Sequence, residues 1–183
     1  MVIYKGKIEI ESYFSEDSLR RYYLKRRYTT DRNNLEKKKL CFILINPSYA
    51  DELLFDKTNM LASNIGVREK FNEVVILNMF SLITKNSKVL KKTQNDWNDS
   101  TNDQTILEEC KNAQQIILSW GSDVDFDERR SELLNRLEAH NLLDKVYRIV
   151  FTDRAGTVSD SAHLSMYLSD NPPYNFEIKK YGE

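Results

Sequence analysis

The sequence is poor in the residues that build metal sites, disulfide frameworks and membrane spans. Its 183 residues include two cysteines and two histidines, and none lies at the spacing of a zinc site. Cys41 and Cys110 fall in apolar patterns, which indicates reduced core residues of an intracellular protein. No apolar run approaches the roughly 18 residues that a membrane span needs, and the first residues lack the apolar stretch of a signal peptide. We therefore expect no metal, no other cofactor, no membrane span and a cytoplasmic location.

Strand-like and helical patterns alternate along the chain from residue 40 onward. Apolar residues make up 40% of the sequence and charged residues 30%, as in an ordinary globular protein. Short apolar runs predict four buried strands, at residues 40–45, 73–78, 115–120 and 145–151. Apolar residues at helical spacing predict helices between these strands, in residues 51–71, 100–113 and 127–140.

This alternation predicts the class of fold. Strand–helix–strand units give right-handed crossovers between parallel strands, and nearly continuous apolar strands are typical of a sheet covered on both faces. We predict an α/β fold, a three-layer α/β/α arrangement with a central, mainly parallel four-stranded sheet and short N-terminal antiparallel strands. The length allows one core, so residues 1–183 are expected to form a single domain. Residues 1–39 would supply the N-terminal strands and a basic loop, and residues 40–170 the core.

Polar and aromatic residues follow the predicted strands at the points where they end. The carboxyl ends of parallel strands meet at one edge of the sheet, where open α/β sheets bind ligands. Amides pair with the edges of a flat polar ligand and aromatic rings stack on its faces. The strand ends carry Asn46-Pro47-Ser48, then Asn78 with Phe80, then Trp120 with Gly121, and the fourth strand leads on to His163.

Each of these residues also has a structural explanation. Asn46 before Pro47 is typical of a turn that ends a strand. Trp120 is an ordinary core residue before a turn, and Asp56 is suited to cap a helix N-terminus. A lone histidine such as His163 is more often structural than catalytic. The hypothesis of a site therefore depends on the convergence of these residues at one edge.

Five motifs in this order resemble those of a known family. They read RRYYLKRRY, LINPSYADELLFDKT, VVILNMFSLIT, IILSWG and HLSMYL, and they span about residues 20–170. The chain resembles the bacterial and phage family known as domain of unknown function 1643. This family carries His-Pro where the chain has His163-Leu164. The matching residues are Arg21 to Leu24, Asn46 to Ser48, Asp56, Thr58, Asn78, Phe80, Trp120, Gly121, His163 and Tyr167.

The motif order is also similar, more weakly, to that of the uracil-DNA glycosylase superfamily. In those enzymes a first strand ends in Asp-Pro or Asn-Pro, Trp-Gly ends a later strand, and a His-Pro-Ser segment closes the site. They place a glycine two residues before that Asp or Asn, where this chain has Leu44. The resemblance implies a hydrolase of N-glycosidic bonds in nucleotides or nucleic acid that requires no metal.

The residues leave three hypotheses of function open. The first is a glycosylase-like enzyme, in which Asn46 holds a water, His163 donates to the departing base, and Asp51 or Asp56 supplies the general base that an amide cannot provide. The second is a module that binds a nucleotide, base or nucleic acid without cleaving it. The third is a protein-interaction domain that docks through the acidic residues 96–144.

Two sets of residues are predicted for the site. The predicted catalytic residues are Asn46, Asp56 and His163. The predicted ligand-binding residues are Arg21, Ser48, Asp51, Thr58, Asn78, Phe80, Trp120 and Gly121.

The charges are distributed unevenly although the net charge is −1. Residues 1–40 contain 11 Lys or Arg against 6 Asp or Glu, and residues 96–144 contain 4 against 12. Solvated faces would explain this asymmetry, but a basic surface also attracts phosphates. We expect an anionic ligand, a nucleotide or nucleic acid, to approach through residues 20–39 and 85–92, and the sequence does not fix the oligomeric state. The cations concerned are Arg20, Arg21, Arg26, Arg27, Lys88, Lys91 and Lys92.

Overall fold

The computed structural model describes residues 1–32, 34–49, 53–90, 99–121, 123–152, 158–160, 164 and 175–182. Within these residues it contains eight strands and three α-helices. The strands are β1 Gly6–Phe14, β2 Arg21–Thr30, β3 Glu36–Leu44, β4 Phe71–Asn78, β5 Gln115–Leu118, β6 Val146–Thr152, β7 Val158–Asp160 and β8 Asn175–Lys180. The α-helices are α1 Lys57–Arg68, α2 Ser100–Lys111 and α3 Asp127–Ala139, and 3-10 turns lie at Ser87–Val89, Val124–Phe126 and Leu143–Lys145.

The strands form one mixed sheet. Its order is β1-β2-β4-β3-β5-β6-β7, with β8 also paired to β6. The central strands β4, β3, β5 and β6 run parallel to one another, as the α/β class requires. The predicted four-stranded sheet is matched only in part, because β2 hydrogen-bonds to β4 in antiparallel register and β7 and β8 add antiparallel strands along β6.

The N-terminal strands are longer than predicted and belong to the main sheet. β1 and β2 pair along their whole length, from Gly6 opposite Thr30 to Phe14 opposite Arg21. Part of the expected loop before residue 40 is instead the beginning of β3, where Lys39 pairs with Glu73 of β4.

Helices cover both faces of the sheet. Side chains of α1, such as Ile65, pack with Phe42 and Ile76 on one face. Side chains of α2 and α3, such as Ile106 and Leu133, pack with alternate strand residues on the other face. Burial on both sides explains why the central strands are almost continuously apolar.

The strand order reverses at β3, and this places a crevice at its carboxyl end. The chain passes from β3 to β4 on one side and later adds β5 on the other side. The connections at this end of the sheet therefore run to opposite sides of β3, as they do where other open α/β sheets bind ligands. No helix in the described part of the chain is long and apolar enough to cross a membrane.

Candidate functional site

A polar cavity of about 400 Å³ opens at the carboxyl ends of β3 and β4. The first turn of α1 forms one wall, and the segment after β4 forms another. Leu44, Ile45 and Ile76 contribute apolar surface. The remaining lining residues are Arg21, Asn46, Ser48, Asp56, Thr58, Asn59, Asn78, Thr84, Lys85 and Ser87. Six of the predicted site residues therefore share one cavity: Arg21, Asn46, Ser48, Asp56, Thr58 and Asn78.

Asn78, the last residue of β4, has the most unusual environment in this cavity. It is 1% exposed, and within the described residues neither Oδ1 nor Nδ2 has a hydrogen-bond partner. Leaving a buried polar group unpaired costs on the order of 1–3 kcal/mol. The side-chain amide presents a donor next to an acceptor, so it is complementary to a ligand edge with the same pair of groups.

Buried side chains from α2 and α3 donate hydrogen bonds to the backbone carbonyl groups of Asn78 and Met79. Asn102 Nδ2 donates to the carbonyl oxygens of Asn78, at 3.0 Å, and Met79, at 3.2 Å. Arg129 donates to the same Met79 oxygen from Nε at 3.2 Å and from Nη2 at 3.0 Å. Arg129 also pairs with Asp103. We did not predict these hydrogen bonds from the sequence, although polar residues on the buried faces of two helices were the signal for them.

Asn46 is held by backbone carbonyl groups. Its Nδ2 donates to the carbonyl oxygen of Thr84 at 2.7 Å and to that of Pro47 at 3.0 Å. The amide of Thr84 donates to the Pro47 oxygen at 3.1 Å, which joins the two loops that follow β3 and β4. Asn46 therefore has the structural role that its position before proline suggested, and it also contributes to the cavity wall.

Asp56 caps α1 and faces the cavity at the same time. Its Oδ1 accepts a hydrogen bond from the amide of Asn59 at 2.7 Å, as expected of an N-cap residue. Its Oδ2 accepts a hydrogen bond from the Ser48 hydroxyl. The Ser48 contact links the turn after β3 to the beginning of α1, so a carboxylate and a hydroxyl stand together in the wall.

The structure does not bring the predicted aromatic residues to this cavity. Phe80 and Trp120 are buried in the cluster on the other face of the sheet, where the Phe80 ring lies 5.2 Å from that of Phe126. Gly121 lies next to Trp120 with a φ of 71° and is not part of the cavity wall. Stacking on Phe80 or Trp120 thus gains no support from the geometry. Asp51, His163 and Tyr167 lie outside the described residues.

The expected basic surface consists largely of paired cations. Arg27 Nη2 lies 2.6 Å from Glu73 Oε2, and Lys39 Nζ lies 2.8 Å from Glu109 Oε2. Arg20 Nη1 lies 3.5 Å from Asp99 Oδ2. These pairs reduce the positive potential that was expected to attract phosphates. Arg26 is buried and Lys88 is exposed, whereas Lys91 and Lys92 lie outside the described residues.

In the part of the chain that the structure describes, no group of three or more His, Cys, Asp or Glu side chains could hold a metal ion. The cavity instead offers amides, hydroxyls, one carboxylate and two cations, Arg21 and Lys85. This donor set suits an organic ligand that forms hydrogen bonds.

The fold and the cavity thus define an α/β protein with a polar cavity, a candidate ligand site, at the carboxyl edge of its parallel strands. A family model described as "Protein of unknown function (DUF1643)" matches residues 21–157. The match covers most of the chain, including every residue of the cavity wall, and the protein belongs to this family. No curated protein and no solved structure matches the chain. The similarity to uracil-DNA glycosylases stays a prediction.

Proposed function

We propose that the protein binds a nucleobase, as part of a nucleoside or nucleotide, in the cavity between β3, β4 and α1. The observation that carries this proposal is the Asn78 amide, which is 1% exposed and has no partner in the described part of the chain. Every common nucleobase has an edge on which a donor stands next to an acceptor. Such an edge satisfies both atoms of the amide, as in the pairing of asparagine with adenine.

The remainder of the wall supports a small polar ligand. The volume of about 400 Å³ falls within the range of small-molecule sites. Asn59 Nδ2 is a second buried amide group without a partner among the described residues, and it lies on the α1 side of the cavity. Leu44 and Ile76 provide the apolar surface against which a flat ring packs.

Asn78→Ala tests this proposal. Calorimetric titration of the wild type with nucleobases, nucleosides and nucleotides is expected to identify a ligand whose affinity falls roughly ten- to hundredfold in the variant, as the loss of a buried hydrogen-bonded amide predicts. Asn112→Ala is the matched control, because Asn112 is an exposed amide at the end of α2 that binds only the Glu108 carbonyl oxygen. Equal affinities of wild type and Asn78→Ala for every ligand would exclude Asn78 as the residue that hydrogen-bonds to the base.

Hydrolysis of an N-glycosidic bond is a second candidate, which the position of Asp56 favours. A carboxylate in the cavity wall is suited to take a proton from a water that attacks the sugar carbon while the bond to the base breaks. The departing base then takes up a proton, for which the sequence suggests His163 as donor. Asn46, Ser48 and Thr58 would help to place the water and the sugar.

Asp56→Asn separates binding from hydrolysis. Asparagine also caps helices, so this variant is expected to fold and bind as the wild type does. If the protein is a hydrolase, chromatography will detect free base released by the wild type and none released by the variant. Release by neither protein, with equal binding by both, would leave a binding module.

A further inference from the structure

A buried arginine close to the cavity has no hydrogen-bond partner among the residues that the structure describes. Arg26 of β2 is 1% exposed, and Nε, Nη1 and Nη2 all lack a partner within the described residues. A guanidinium group stays charged in proteins and has five N–H donors, and burial of an unpaired charge carries a large desolvation penalty. Burial lowers the pKa of Arg26 below its usual value, although nearby Tyr28 and Asp56 oppose this effect. A ligand anion is the partner that such a group lacks.

The sheet register places Arg26 close to the cavity, although Arg26 is not one of its lining residues. Leu24 of β2 pairs with Ile76, which lines the cavity, and Arg26 pairs with Val74, two residues further along the strand. Since alternate residues of a strand share a face, Arg26 projects to the same side of the sheet as Leu24. The α1 helix and the cavity lie on that side.

Phe55 covers one face of the Arg26 guanidinium. Its ring lies 4.0 Å from Arg26 Cζ. A stacked ring attracts the cation but accepts none of the in-plane N–H bonds. The edge of the guanidinium, where those bonds point, is therefore the part suited to bind an oxyanion.

The first turns of α1 extend the polar wall in the direction of β2. Asn59 is 2% exposed, lines the cavity and has an unpartnered Nδ2 among the described residues. Ser63, one turn later on α1, and Tyr28 of β2 are also buried, and their hydroxyls lack hydrogen-bond partners within the described residues. Buried polar groups thus continue from the cavity wall along α1 and onto β2, the strand that carries Arg26.

We propose that Arg26 binds an anionic group of the ligand, so that the ligand class is a phosphorylated nucleoside rather than a free base. This inference rests on the proposed function for the base, but the anion site depends on Arg26 and not on Asn78. Among the described residues, Asp56 is a carboxylate close to Arg26, and it already accepts hydrogen bonds from Ser48 and from the Asn59 amide.

Arg26→Met tests the anion site, since methionine keeps much of the apolar length of the side chain and removes the charge. Calorimetric titrations compare each nucleoside with its 5′-monophosphate. The wild type is expected to bind the monophosphate more tightly, and Arg26→Met is expected to lose that preference by roughly ten- to hundredfold while its nucleoside affinity stays within about twofold. Arg26→Lys, which keeps the charge but not the planar fork, is expected to fall between the two.

Arg32→Met is the matched control for the change in net charge. Arg32 also lies over an aromatic ring, that of Tyr4 at 5.3 Å, but it is exposed and is not part of the cavity. This variant is expected to keep the preference for the monophosphate. Without ligand, Arg26→Met is expected to melt at the wild-type temperature or above it, because an unpaired buried charge is removed. If Arg26→Met fails to fold, a monophosphate preference unchanged in Arg26→Lys overturns the proposal.

The outcomes separate this inference from the proposed function. Equal affinity of the wild type for nucleosides and monophosphates, or an unchanged preference in Arg26→Met, overturns the anion site and leaves base binding through Asn78 intact. Binding of ribose 5-phosphate or inorganic phosphate that requires Arg26, without any binding of nucleosides, supports the anion site and removes the nucleobase proposal. No binding of any of these compounds by the wild type overturns both.

Discussion

Asn46 and Asn78 are the same residue type at the ends of adjacent parallel strands, yet their side chains have opposite environments. Asn46 donates two hydrogen bonds to backbone carbonyl groups, and Asn78 makes none within the described part of the chain. The Nδ2 group of Asn46 is satisfied by the protein, whereas the Asn78 amide is the group that we propose binds a ligand. The two residues therefore respond differently to truncation.

Asn46→Ala is expected to lower the free energy of unfolding by about 1–3 kcal/mol, because the Thr84 and Pro47 carbonyl oxygens lose their side-chain donor. Asn78→Ala is expected to change it by less than about 1 kcal/mol without ligand, since the truncation removes a group that has no partner in the described structure. Urea unfolding monitored by circular dichroism measures both values.

Asn46→Asp is the control for shape in this experiment. The carboxylate has nearly the same size as the amide but would face two carbonyl oxygens, so this variant is expected to be at least as unstable as Asn46→Ala. A loss of stability in Asn78→Ala equal to that in Asn46→Ala would mean that the Asn78 amide is already satisfied in the folded chain.

At the scale of the elements, apolar patterning predicted the central strands and the helices between them. Burial on both faces makes those strands continuously apolar. The first helix, α1, begins at Lys57, within the predicted range of residues 51–71. The pairing of β2 with β4 was not predictable in the same way, because it depends on backbone hydrogen bonds between distant segments. The pairing of β7 and β8 with β6 was not predictable for the same reason.

Part of the candidate site could be predicted from the sequence, but the face of the sheet on which each side chain packs could not. Asn78, at the end of a strand, and Asp56, at the start of a helix, both line the cavity. Phe80 and Trp120 follow strands of the same edge but pack on the opposite face. The face of the sheet on which such a residue packs depends on the path of the chain after the strand. That path is determined by packing between segments distant in sequence. For the same reason the buried Arg26 was expected on a basic surface.

The beginning of α1 allows a prediction about Asp56. Asp56→Ala removes the acceptor for the Asn59 amide and the partner of the Ser48 hydroxyl, so it is expected to lower stability by about 1 kcal/mol. Asp56→Asn keeps a side-chain oxygen at the N-cap. Its free energy of unfolding is expected to stay within roughly a few tenths of a kcal/mol of the wild-type value, because Asn and Asp are nearly equal as N-cap residues. Thermal unfolding of the two variants measures the difference. Equal losses would show that the charge of Asp56, and not its capping oxygen, stabilises the helix.

At the scale of the whole molecule, a group of ion pairs joins three neighbouring strands and one helix. Glu73 of β4 lies between Arg27 of β2 and Lys39 of β3, with contacts of 2.6 Å and 3.3 Å. Lys39 also contacts Glu109 of α2 at 2.8 Å, and Lys25 of β2 contacts the same carboxylate at 3.1 Å. Except for Arg27, which is exposed, these side chains are largely buried from solvent, so screening of their interactions by salt is limited. The pairs tie the N-terminal hairpin and α2 to the parallel strands.

This arrangement predicts how stability depends on pH. Burial acts to raise the pKa of Glu73, but the hydrogen bond from Arg27 and the attraction of Lys39 outweigh it, so the pKa lies below its ordinary value of 4.5. A carboxylate with a lowered pKa in the folded state stabilises the protein above its unfolded pKa, and this contribution is lost as the pH falls through the folded pKa. The free energy of unfolding is therefore expected to decline on acidification below about pH 4.5.

Glu73→Gln isolates the contribution of this carboxylate. At neutral pH the variant is expected to lose about 1–3 kcal/mol, because Arg27 and Lys39 keep their charges without the opposite charge between them. Below pH 4 its stability is expected to approach that of the wild type, since Glu73 is then increasingly neutral in both states. Urea unfolding from pH 3 to pH 7 measures the two curves, and Glu138→Gln, at an exposed position of α3, controls for the loss of one carboxylate. Parallel curves for wild type and Glu73→Gln would show that the pKa of Glu73 does not change on folding.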